Sequence, residues 1–246
     1  MRLTSRIALI GSGDFGGFGL SDPLDCHVYL VDGGAELALI DAGSGLNLDA
    51  LLAAVAESNG APDAIRYLFV THAHFDHSGG CRLLRDRLGL QVVASAGTAA
   101  ILTSGDVERA GLAPAQRAGL YPPTFQLVPC PVDRVVHDGE HVAVGDQVLI
   151  AIATPGHSAD HTAYLLEGEG ALFSGDCVFA GGRISLQALP DCVLSDYAAT
   201  IRRLATLDIR ALLPSHGVPA LRRGGRHLMA ARDAFEHLQI PPQMVY

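Results

Sequence analysis

A chain of 246 residues, 49% hydrophobic and 17% charged, has enough apolar side chains for a sizeable core and is read as one domain over 1–246, not as a disordered polypeptide. The formal net charge is −9 and the densest basic cluster is only Arg222, Arg223 and Arg226, which disfavours tracking a phosphate backbone, so no nucleic-acid partner is expected. No apolar run approaches the ~18 residues of a membrane span, the first residues lack the regions of a secretory signal, and a cytoplasmic protein with no membrane partner is expected.

The chain alternates short apolar strands with longer helical stretches. Strands are predicted over 27–32 and 36–41 around the turn Gly33-Gly34, then a helix over 49–59 closed by Gly60 and Pro62. A strand over 65–70 runs straight into Thr71-His72, followed by a helix over 81–88 with Gly89 past its end and a strand over 91–94. Residues 103–131, broken by Pro114, Pro122, Pro123, Pro129 and Pro131, read as a surface excursion with one short helix and no assigned role. Residues 135–144 and 147–154, punctuated by Asp138-Gly139 and Gly145-Asp146, read as successive antiparallel strands. A further strand pair over 161–166 and 171–174 precedes a helix over 196–207 capped by Ser195. A strand over 210–213 and a helix from about 222 to 238 complete the pattern. Strands in two groups, each followed by helices, predict two packed β-sheets with helices outside, a four-layer α/β arrangement.

Chemistry concentrates in Thr71-His72-Ala73-His74-Phe75-Asp76-His77-Ser78-Gly79-Gly80. On an extended chain His72, His74 and Asp76 share one face, and the glycines after Ser78 allow a sharp turn that swings His77 inward. Imidazole nitrogen and carboxylate oxygen suit zinc, and also iron or manganese. A catalytic tetrahedral zinc takes three protein ligands, so this cluster implies a second metal or idle ligands. Three downstream residues follow strands and sit beside glycine: His157 in Thr154-Pro155-Gly156-His157, Asp176 in Phe173-Ser174-Gly175-Asp176, and His216 in Leu213-Pro214-Ser215-His216-Gly217. Any one of these alone reads more readily as a satisfied polar residue; their shared placement points to ligands.

The motif His72-x-His74-x-Asp76-His77, with His157, Asp176 and His216 in that order, resembles the metallo-β-lactamase fold superfamily over nearly the whole chain. The resemblance implies an αβ/βα sandwich with its metal site at one edge of two mixed sheets. It implies one ion held by His72, His74 and His157, a second by Asp76, His77 and His216, and Asp176 bridging both. Zinc β-lactamases of the best-known class place a cysteine where Asp176 stands. The bridging aspartate is similar to glyoxalase II, acyl-homoserine lactonases and RNase Z, and the segments around His157 and Asp176 look most like glyoxalase II. Asp160 departs from the glycine of many relatives, and 181–185 lacks the cysteine-containing glycine loop of authentic glyoxalase II.

The expected enzyme is a hydrolase with two divalent ions, zinc first and iron or manganese as alternatives, acting on a small thioester, ester or lactone. Asp76 is expected to orient the attacking water and shuttle its proton. Phosphodiester cleavage on the same ions is disfavoured by the acidic balance. A one-iron sulfur (persulfide) dioxygenase and a non-catalytic metal-binding module are the other classes; oligomeric state is open, a homodimer included. His161 is a candidate support for a ligand, and His27 and Tyr29 are candidate pocket residues, with core packing the competing reading for Tyr29. Arg183 is a candidate for binding a substrate carboxylate or phosphate, against a solvated arginine. The glycines of 11–19 lack a βαβ context and read as a loop beside the active site. His137 and His141 read as solvated turn residues. Cys26, Cys81, Cys130, Cys177 and Cys192, odd in number and without CxxC spacing, read as free thiols in a reducing compartment, and Cys177 has no base beside it.

Overall fold

The computed structural model describes residues 1–244, which form two compact units: residues 1–136 with 144–146, and 137–143 with 147 onward. In the first unit, β1 (Ile7–Gly11), β2 (Val28–Asp32), β3 (Leu37–Ile40), β4 (Ile65–Phe69), β5 (Gln91–Ser95) and β6 (Arg134–Val136) lie in that order in one sheet. The first three are antiparallel, and β3 to β6 run parallel. Every residue of β1 and β3 is buried, in keeping with their continuous apolar runs.

Helices α1 (Leu48–Glu57), α2 (Phe75–Ser78), α3 (Cys81–Leu88), α4 (Ala96–Ser104) and α5 (Leu112–Arg117) complete this unit. Asn47 caps α1 by accepting from the Ala50 N–H, and Leu51 and Val55, one turn apart, face the core with Ile10, Val28, Leu39 and Leu68. Gly89, left-handed at φ 65°, ends α3 where predicted. The excursion over 103–131 contains one short helix, α5, after the end of α4. Neither β1 nor α4 is legible beforehand: β1 is too short and uniformly apolar to show a period, and α4 carries Gly97 and two threonines.

The second unit holds β7 (His141–Val144), β8 (Gln147–Ala153), β9 (Thr162–Leu166), β10 (Ala171–Gly175) and β11 (Ala211–Pro214), in the sheet order β11-β10-β9-β8-β7. β8, β9 and β10 are antiparallel neighbours, while β10 and β11 are parallel. Helices α6 (Leu194–Leu204) and α7 (Gly225–Glu236) bury Tyr197, Ile201, Leu204, Leu228 and Phe235 against Ile152, Leu172 and Leu212. Two mixed sheets with helices, the expected α/β class, are therefore present. No helix among the described residues is long and apolar enough to cross a membrane.

Three local readings change. Residues 135–144 do not form one strand: β6 joins the first sheet parallel to β5, and β7 is the edge of the second. Ser195 does not cap α6, because the helix already starts at Leu194, with the Tyr197 N–H bonded to Val193 O. Arg223, left-handed at φ 55°, delays α7 to Gly225.

The ring of His227 in α7 accepts at Nδ1 from the Gly181 N–H at 2.9 Å, which requires an unprotonated Nδ1. Burial first, and Arg226 second, hold this imidazole below the ordinary value of 6.5. A depressed folded value means its contribution to stability is present above 6.5 and lost as pH falls through the folded value. The melting temperature should therefore drop on acidification below about 6.5, and less steeply in His227→Asn, where an amide oxygen accepts at any pH. Equal slopes in the two proteins would count against this.

Candidate metal centre

In the first unit the cluster is assembled around a carboxylate that closes β3. Asp41 sits at φ 62°, which aspartate tolerates better than most residues, and is fully buried. Its Oδ1 accepts from the Thr71 N–H at 2.7 Å, and its Oδ2 from the Thr71 hydroxyl and from His77 Nδ1, both at 2.9 Å. A carboxylate only accepts, so His77 carries its proton on Nδ1 and Thr71 spends its own on Asp41. Thr71 Oγ1 is then an acceptor for His72 Nδ1 at 3.0 Å. Both rings are thereby turned to present Nε2 as an electron-pair donor, the tautomer a metal requires.

His72 Nε2 stands 3.0 Å from His74 Nδ1, and the His72 and His77 ring centroids are 4.1 Å apart. The shared facing of His72 and His74 follows from the extended chain, but His77 is turned by α2, whose N-cap is His74, and not by the glycines. Gly79 and Gly80 have another reason: a Cβ on either would lie 2.3 Å from the carbonyl oxygen of Ser44 or Ala42. Asp76, on the first turn of α2, keeps 18% of its side chain exposed and approaches His77 Nε2 at 3.4 Å.

Cys26 lies with Asp41 and His77, and burial pushes its thiol far up, so it acts as a small apolar filler. His27 is buried between the rings of Phe18 and Tyr29, at 5.6 and 5.9 Å, and Tyr29 is buried too, its hydroxyl pushed up by burial. The loop over 11–19 is pinned by the Gly13 N–H to Asp25 O and by Leu20 and Ser21 to Ser12 O.

The second unit builds its cluster at the ends of β8, β10 and β11. His157 Nδ1 donates to the Ser185 carbonyl at 2.9 Å, which again leaves Nε2 with the lone pair that a metal requires. Asp176 follows Gly175, left-handed at φ 52°, and so leaves the strand. Its carboxylate lies between two imidazoles: Oδ2 is 3.6 Å from His157 Nε2 and Oδ1 is 3.6 Å from His216 Nε2. Both separations exceed a hydrogen bond. Two ligand atoms ~2.1 Å from one tetrahedral ion stand about 3.4 Å apart, so a cation fits each of these gaps.

His161 supports this cluster from behind. Its Nε2 accepts the Asp176 N–H at 3.1 Å, and its Nδ1 bonds Thr154 Oγ1 at 2.7 Å. Tyr197, unmarked in the sequence, gives its hydroxyl to the Asp176 carbonyl at 2.7 Å. Arg183 is exposed and donates to the Gln243 carbonyl at 3.0 Å. His137 and His141 are exposed, as expected, although His141 opens β7 and does not lie in the turn.

The model of the metallo-beta-lactamase superfamily matches residues 21–216. The chain belongs to the metallo-β-lactamase superfamily. It is accordingly a metal-dependent hydrolase. Among similar proteins, the acyl-coenzyme A thioesterase MBLAC2 of Gallus gallus is 33% identical over 205 residues, covering 77% of this chain and 72% of that protein. The atrochrysone carboxyl ACP thioesterase of Aspergillus fumigatus is 26% identical over 196 residues, 78% of this chain. The chain spans only 50% of that fungal relative's length. Of solved structures, a metallo-β-lactamase of Cronobacter sakazakii superposes with a TM-score of 0.72 at 20% identity, covering 97% of this chain and 96% of that one. The FEZ-1 metallo-β-lactamase of Legionella gormanii gives 0.71 at 20% identity, covering 96% and 94%. At such identity these structures show the superfamily's fold and no more.

Proposed function

We propose that the chain hydrolyses a small acyl thioester, using two divalent ions held by both clusters together. His72, His74 and His157 would hold one ion, Asp76, His77 and His216 the other, with the Asp176 carboxylate shared. The observation that carries this reading is that carboxylate, whose two oxygens face two different imidazoles at the same 3.6 Å. Sharing between two cations calls for that disposition. Zinc is the simplest occupant of an imidazole and carboxylate set, and iron or manganese takes the same donors. The thioester, in preference to an ester or lactone, is supported by two relatives named as thioesterases.

When bound, the ions supply a water that ionises near neutral pH and positive charge for the developing oxyanion. The protein's own residues do the rest. Asp76, the one partly exposed carboxylate of the motif, orients the attacking water and takes up its proton. Asp41 and Thr71 hold His72 and His77 in the ligating tautomer, and Ser185 does so for His157. A thiol has a pKa of about 8.5, so the departing thiolate needs little help from a general acid, and a site with one working carboxylate suffices. Five free thiols suit a reducing compartment, and we place the reaction in the cytoplasm.

Elemental analysis of the purified protein, combined with turnover of an acyl-coenzyme A and a matched oxygen ester, tests this. Two ions per chain and hydrolysis of the thioester are expected, both lost in His74→Ala. One iron per chain without hydrolysis would overturn the proposal in favour of oxygen chemistry at sulfur. Because imidazoles ligate only when neutral, activity should also decline on acidification.

A further inference from the structure

Asp176 has left its strand, so its own peptide groups need partners outside the sheet, and side chains provide both. The N–H goes to His161 Nε2, and the carbonyl takes the Tyr197 hydroxyl at 2.7 Å. The same phenolic oxygen accepts the Ser185 N–H at 3.3 Å, and the Ser185 carbonyl is the group that receives His157 Nδ1–H. One buried oxygen on α6 thus reaches Asp176 directly and His157 through the main chain of one residue, Ser185. The same helix also touches the turn that precedes His157, without reaching a proposed ligand. Thr200 Oγ1 donates to Pro155 O at 2.7 Å, and a Cβ on Gly156 would lie 2.6 Å from Tyr197 Cα.

We infer that Tyr197 is a positioning residue whose hydroxyl sets His157 and Asp176 in register with each other for metal binding. The inference rests on the proposed role of those two side chains as ligands. Its physical content is specific. The ring of Tyr197 belongs to the apolar core and would pack as well in phenylalanine, whereas the hydroxyl bonds main-chain groups of Asp176 and Ser185. Removing it releases the Asp176 carbonyl and the Ser185 N–H together, and with them the relative aim of an imidazole and a carboxylate. Partners that orient ligands in this way are worth about 10–100-fold in metal affinity.

The test is zinc binding by Tyr197→Phe, read by competition against a chromophoric chelator and by the zinc dependence of the melting temperature. Thr200→Val is the control, since it removes another side-chain bond from α6, to Pro155, without touching Asp176, Ser185 or His157. The expected result is a loss of about tenfold or more in zinc affinity for Tyr197→Phe and less than twofold for Thr200→Val. The inference is overturned if Tyr197→Phe binds zinc as the parent does, or if both variants lose affinity equally, which would make the hydroxyl a contributor to general stability only. Should the phenylalanine variant fail to fold, 3-fluorotyrosine at 197 keeps the ring and alters the hydroxyl. A displaced zinc midpoint in that protein supports the inference, and an undisplaced one overturns it. A parent protein that binds neither zinc nor manganese nor iron(II) would instead remove the proposed function itself.

Discussion

Asp176→Asn should lower thioester turnover about a thousandfold or more, because a shared ligand contributes several kcal/mol of transition-state stabilisation through the ions it holds. Asparagine has the same shape and leaves the His161 and Tyr197 bonds to the Asp176 backbone intact. It offers one neutral oxygen where two anionic ones face His157 and His216. The metal-free variant should fold with an unchanged or slightly higher melting temperature, while bound metal falls below the parent's stoichiometry. Circular dichroism, elemental analysis and steady-state kinetics on one preparation separate these effects. Parental turnover with full metal would show that the carboxylate is not a shared ligand.

Asp41→Asn should be the most damaging change outside the proposed ligands. The substitution preserves tolerance of the left-handed backbone at φ 62°. It replaces a carboxylate that satisfies three donors with an amide that brings two donors of its own to the same place. Charge-assisted bonds of this sort contribute about 1.5–3 kcal/mol each. A net loss of about 3 kcal/mol would lower the melting temperature of a chain this long by about 6–12 °C. With His77 and Thr71 no longer held, zinc affinity should decline about 10–100-fold as well. Calorimetry and zinc competition read the two losses separately. If stability drops while zinc affinity holds, Asp41 supports the fold and not the tautomers.

The parts of the centre that could be read in advance are those encoded locally. Four potential donors within six positions after an apolar strand announce themselves, and His157, Asp176 and His216 each follow a strand beside a glycine. What escaped depends on partners far along the chain. Asp41 lies thirty positions before Thr71, and in the sequence it reads as an ordinary strand-ending turn residue. Tyr197 looks like one apolar position of an amphipathic helix, because nothing local reveals that its hydroxyl meets a carbonyl twenty-one positions earlier. Ser185 acts through its main chain, which leaves no trace in residue type. The fold shows the same division. Periodic elements such as α3 and β8 were legible, whereas Ser195 sits inside α6, whose first bond runs from the Tyr197 N–H to Val193 O and whose N-cap residue, Val193, is held by the distant Gly156 carbonyl.

The state of the five cysteines bears on how the enzyme can be assayed. Burial pushes every one of their thiols upward, Cys130 to about 11, and only Cys192 is partly accessible. Attack on a chromogenic disulfide requires thiolate. The folded protein is therefore expected to react little with such a reagent, so that in an assay of the proposed thioester cleavage on an acyl-coenzyme A the colour should report liberated thiol, with background confined to one slow site that Cys192→Ser would remove.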